Sequence, residues 1–99
     1  MSVAIGDLVD RAIAAHRSLA DLGEAIEDEW SYVDDLHAAW SDRLSEVAAR
    51  RAAEPAGDEV VGAVEAAVAE LGRIGDPHRA IDWLSTFPQV VLLALGEPA

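Results

Sequence analysis

From Ile5 to Val47 the inward-type positions recur in alternating steps of four and three. They are Ile5, Val9, Ala12, His16, Leu19, Gly23, Ile26, Trp30, Val33, His37, Trp40, Leu44 and Val47. A repeat of this kind marks one face of an α-helix and is incompatible with the period of two that a strand requires. Leu8, Leu22 and Leu36 widen the stripe, while Asp7, Asp21, Asp28, Asp35 and Asp42 all fall on the opposite face. The apolar and acidic patterns therefore agree on one helical phase. That continuity predicts a single helix from about Val3 to Ala52, roughly 75 Å long at the usual rise per residue. Gly23 is the weak point, because glycine costs a helix interior about 1 kcal/mol relative to alanine. A break there would give two shorter helices.

The rest of the chain reads as shorter helices returning along the first. Residues 53–59, AEPAGDE, form a turn, with Asp58 placed to cap the next helix. Val61, Val64, Val68 and Leu71 supply its apolar face. The tripeptide Gly75-Asp76-Pro77 combines a terminating glycine, a capping aspartate and a proline at the first helical position. It predicts a helix to about Ser85, with Pro88 starting another that Gly96 and Pro98 end. The expected fold is all-α: residues 1–99 form a single helical domain, a long arm plus shorter returning helices in a helical hairpin. Part of the long arm's stripe then lies uncovered by its own chain. A second copy covers it most simply, in a dimeric four-helix bundle with two-fold symmetry.

Composition removes several function classes. The chain carries no cysteine, so disulfides and thiolate metal sites are excluded. All its basic side chains are arginine, and the formal net charge is −12. The charge is spread evenly, with five arginines against eleven acids before Glu54 and two against eight from there on. No basic face meets phosphates, which argues against direct nucleic-acid binding and against a like-charged membrane surface. The longest purely apolar run, Val90–Leu95, is far short of the roughly 18 residues a membrane span needs. The start, MSVAIGDLVDR, lacks the basic and apolar regions of a secretion signal, so the expected location is cytoplasmic.

The segment EDEWSYVDDLHAAW, Glu27 to Trp40, concentrates the candidate chemistry. On the phase above, Ile26, Trp30, Val33, His37, Trp40 and Leu44 form a tryptophan-bearing stripe, the expected partner interface. Glu27 and Asp34 flank it. Asp34-x-x-His37 has the i, i+3 spacing that carboxylate-bundle metal proteins use, so Asp34, His37 and Glu27 are the candidate metal ligands. HRSLADLGEAIEDEW, residues 16–30, is loosely similar to the first helix of encapsulated ferritin-like proteins, a resemblance that implies an iron-binding dimer of helical hairpins. The Glu-x-x-His such a site needs is absent from the second half of this chain. Arg11 to His16 and Arg73 to His78 each resemble the Arg-x4-His motif of HEPN-type ribonucleases, but Arg11 and His16 diverge on a helix and the acidic surface opposes RNA. Glu24-x-x-Glu27 is similar to half of the magnesium motif of the all-α nucleotide pyrophosphohydrolases, whose other half is missing. The "WSD" at 40–42 is faintly similar to secreted WXG hairpins, whose glycine is missing. No serine occupies a nucleophile elbow and no glycine-rich phosphate loop exists, so no catalytic residue is assigned.

Three readings follow. The leading one is a non-enzymatic interaction or assembly protein with no cofactor, which forms a homodimer or docks a protein partner of apolar or basic surface through the tryptophan stripe. The second is a ferritin-like carboxylate–histidine bundle holding a metal ion. The third is an acidic decoy whose regular aspartates occupy a basic nucleic-acid-binding site on another protein.

Overall fold

A computed structural model describes residues 3–26 and 30–98, with the side chain of Trp30 outside that description. The described residues form four helices and one minute antiparallel ladder: β1 Val3–Ala4, α1 Ile5–Gly23, α2 Trp30–Arg51, β2 Pro55–Ala56, α3 Asp58–Leu71 and α4 Pro77–Ala94. The molecule measures 42 × 24 × 19 Å, so a straight helix of the length expected for residues 3–52 would not fit within it. The runner-up geometry, a break at Gly23, is the one adopted.

The break has a packing cause. After Gly23 the backbone tightens into short-range bonds, Ala25 N–H to Leu22 O at 3.2 Å and Ile26 N–H to Gly23 O at 3.2 Å. A Cβ on Gly23 would stand 3.2 Å from Ile81 Cγ1 and 3.5 Å from Val33 Cγ2, so the missing side chain lets α1 end against α2 and α4. Folding back buries the seam against itself, which a lone straight helix cannot do. The heptad phase survives on both arms: Val9, Ala12, His16, Val33 and Leu44 are all fully buried. Periodicity thus identified the inward faces, while Val33 and Leu44, expected on the uncovered stripe, are covered by their own chain.

α1 and α4 form the centre, and α2 and α3 each pack on both of them. Leu8, Leu84, Phe87, Val91 and Leu92 lie at the heart of the core with no exposed surface. At the far end, Val3 pairs with Ala56 and Ala4 with Pro55, so residues expected in the first helix and in the turn form a two-residue ladder instead. Ile5 N–H donates to Glu54 O at 2.8 Å and Gly6 N–H to Ala52 O at 3.2 Å, which ties the start of α1 to the end of α2. Gly6 permits this approach: a Cβ there would lie 3.2 Å from the Ala52 carbonyl oxygen.

Helix ends correct the expected signals in detail. Gly57, not Asp58, is the N-cap of α3, and Asp58 is its first residue. α3 stops at Gly72 rather than Gly75. Asp76 and Pro77 act as expected, with the Asp76 side chain accepting from His78 N–H at 3.1 Å. α4 then runs unbroken to Ala94 with Pro88 inside it, instead of dividing into two helices. Pro88 is buried, and the core holds the helix together across the missing N–H. Gly96, at φ 76°, closes α4 with Glu97 N–H donating to Leu92 O at 2.8 Å and Gly96 N–H to Leu93 O at 3.0 Å, the paired bonds of a Schellman end.

Arg51, at the end of α2, anchors this terminus. Its guanidinium donates to Leu95 O at 2.8 Å, to Glu97 at 2.9 Å and to Glu54 at 2.8 Å, while Arg50 also pairs with Glu97. None of the described helices is long and apolar enough to cross a membrane.

Candidate functional site

α1 ends seven residues after His16 and α2 begins seven residues before His37, so the packing of the two helices brings these positions, three heptads apart on one seam, face to face. His16 Nδ1 lies 2.7 Å from His37 Nδ1. The ring planes differ by 21° and the centroids are 4.9 Å apart, the geometry of two imidazoles meeting edge to edge along an N–H···N bond. On its other side, His16 Nε2 lies 2.7 Å from the carbonyl oxygen of Leu84. That carbonyl would ordinarily accept from the N–H of residue 88, which is proline and has none. Phe87 lies beside His16, with ring centroids 6.3 Å apart.

These contacts settle the protons. A carbonyl oxygen only accepts, so His16 carries hydrogen on Nε2. Burial holds both imidazoles below their ordinary pKa of 6.5, and both are neutral near pH 7. Neutral His16 therefore has a bare Nδ1, and His37 Nδ1–H donates to it. The Ser41 hydroxyl lies 3.3 Å from His37 Nε2 and 3.4 Å from Nδ1, over the ring rather than on the lone pair of either nitrogen. The result is a directed chain: His37 to His16 to Leu84, crossing α2, α1 and α4. His16 has no exposed surface, yet every polar atom of its ring is satisfied.

The residues singled out from sequence fall as follows. Val33 and Leu44 are fully buried core residues, which corrects their expected place on a free docking stripe. Trp40 is half-buried against the core, Ile26 is half-buried, and His37 is turned to His16. The Trp30 side chain lies outside the described residues. Of the candidate metal ligands, Glu27 is also outside them. Asp34 is exposed and pairs with Arg17 at 3.6 Å, while Arg17 bridges to Asp21 at 3.1 Å. Among the described residues, no three His, Asp or Glu side chains gather closely enough to hold an ion. The Arg11-x4-His16 pair is split: Arg11 bonds Glu65 on the surface at 3.0 Å while His16 is buried.

Sequence reasoning placed His16 on the seam and weighed it only as part of the Arg11-x4-His16 motif, and it gave Ser41 and Leu84 no role. Two signals pointed to them: the shared heptad position of the two histidines, and a proline four residues after Leu84 that must free a carbonyl.

A second feature is an open groove of about 310 Å³ between α1 and the end of α3. Ala15, Leu19 and Leu22 line one wall and Val68, Leu71 and Ile74 the other, with Ser18 the only polar side chain among its lining residues. The Arg11–Glu65 bridge crosses from α1 to α3 one helical turn before it. Comparisons with protein-family models, with curated proteins and with solved structures give no match.

Proposed function

We propose that this chain is a non-enzymatic interaction protein whose α1/α3 groove receives the apolar face of a basic amphipathic helix from a protein partner. The groove carries the reading: it is lined almost wholly by apolar side chains, and it stands open on the surface of a chain of net charge −12. Charge chooses the occupant. Self-association through this face would bring together two chains each at −12, whereas a helix bearing arginine or lysine beside its apolar stripe gains from the same field. Helix-in-groove recognition needs apolar anchors at helical spacing, and a space of this size takes one or two of them. The Arg11–Glu65 bridge closes one end, so the occupant lies towards Leu22 and Ile74.

The test uses a synthetic amphipathic helix of leucine and lysine and its counterpart of leucine and glutamate. Calorimetry should show saturable binding of the basic peptide, weakening as salt rises, and none of the acidic one. Ser18 is exposed, so Ser18→Trp can fill the groove without disturbing the core, and it should remove the binding. Binding unaffected by Ser18→Trp would overturn the groove as the site. Sedimentation at micromolar concentration should return a monomer; a stable dimer lost in Ser18→Trp would assign the groove to a second copy instead.

A further inference from the structure

We propose that the His16–His37 pair is a proton-binding site and latch: the folded pair holds at most one added proton, and a second separates α2 from α1 and α4. The inference is independent of what the groove binds.

The 2.7 Å between the two Nδ1 atoms suits a single shared hydrogen. The pair therefore accepts protons in order. The first goes to His37 Nε2, the bare nitrogen on the less buried of the two rings, whereas His16 Nδ1 is held in the bond to His37 and has no exposed surface. The Nδ1–H···Nδ1 bond survives this step. A second proton has only His16 Nδ1 left. There it would set two N–H groups against each other across 2.7 Å, between two positive rings, one of them without any exposed surface. The contact must open, and with it the meeting of α1 and α2.

The surroundings decide how hard each step is. From α1, Arg17 opposes positive charge on His37, while Asp21, and Glu24 just beyond the helix, favour it; from α2, Asp34 favours it. Arg17 is itself bridged to Asp21 and Asp34, so these charges largely balance. From α4, the Leu84 carbonyl favours charge on His16 and the Phe87 ring offers nothing polar. Burial is the largest influence on both histidines and opposes protonation. The unfolded chain therefore binds more protons than the folded one. Stability is complete above about pH 6.5 and falls as the pH drops from there towards the folded-state values.

The experiment is chemical denaturation of the full chain at pH 7.5 and 5.5, with nitrogen NMR of the histidine rings. A pair that holds none loses about a hundredfold in folding constant across that interval, and a pair that takes up one shared proton loses less than that but more than about tenfold. His78→Gln should keep this loss, and His16→Gln/His37→Gln should abolish it. Spectra of the wild-type chain test the idea even if the double variant does not fold. At pH 7.5 His16 should be the Nε2–H form and His37 the Nδ1–H form, and the second proton should appear only as native signals vanish. Stability flat to within threefold over the interval would overturn the latch. So would two doubly protonated rings in a spectrum that stays native.

Discussion

His16 occupies the hydrogen-bonding place that Pro88 vacates. Pro88 leaves the Leu84 carbonyl without its intrahelical donor, and His16 Nε2–H fills that position at 2.7 Å from another helix. A substitution at either residue should therefore be felt at the other. His16→Leu removes the donor to Leu84 and the acceptor for His37, and should cost about 2–3 kcal/mol, since buried polar groups are left unpaired. Pro88→Ala restores an N–H that can reach the same carbonyl, so His16→Leu should cost about 1 kcal/mol less in that background. Strict additivity in a double-mutant cycle would show that the two residues do not share the carbonyl.

Gly6 and Gly23, both closely packed, should respond differently to alanine. At Gly6 the new Cβ meets backbone, the Ala52 oxygen at 3.2 Å and Cα at 3.3 Å, which cannot move without disturbing the β1–β2 ladder. Gly6→Ala should destabilise by about 1–3 kcal/mol. At Gly23 the nearest atom is Ile81 Cγ1, on a side chain able to shift, and alanine's helix preference of about 1 kcal/mol offsets the crowding. Gly23→Ala should lie within about 1 kcal/mol of the parent. Urea midpoints that reverse this order would contradict the packing described.

A second acid-sensitive element lies at the other end of the molecule. Arg51 holds the Glu54 carboxyl below its ordinary range, and Arg50 and Arg51 do the same for Glu97. Depressed carboxyls stabilise the fold above their ordinary value of 4.5, and that contribution is lost as the pH falls through the folded values. Acid unfolding should thus show two stages, the histidine stage first and the carboxylate stage below pH 4.5. Arg51→Met should lower stability and should shrink only the lower stage. An unchanged lower stage would remove Arg51 from the account.

Metal addition separates the interaction reading from the carboxylate–histidine reading. With His37 turned to His16 and Asp34 to Arg17, added Zn²⁺, Fe²⁺ or Mn²⁺ should leave Tm unmoved. A ligand that binds only the folded state raises stability by mass action, so a Tm increase lost in His37→Ala would restore the metal site.

The seam from Ile5 to Val47, the caps at Asp76-Pro77 and Gly96 and the buried faces of α1 and α2 were all legible in the sequence, because each depends on the helical period or on a residue's own backbone preference. Three features were decided by tertiary structure. The heptad phase is the same whether a helix runs straight or folds back on itself, so only the packing of Gly23 against Ile81 and Val33 distinguished the two. Pro88 ordinarily marks a helix boundary, and α4 passes through it because the buried residues on either side hold the helix and His16 supplies the missing bond. The histidine pair exists because α1 and α2 pack with two seam positions together, and the Leu84 carbonyl that completes it lies 68 residues from His16. Periodicity tells each residue which way to face; what it meets there depends on the rest of the chain.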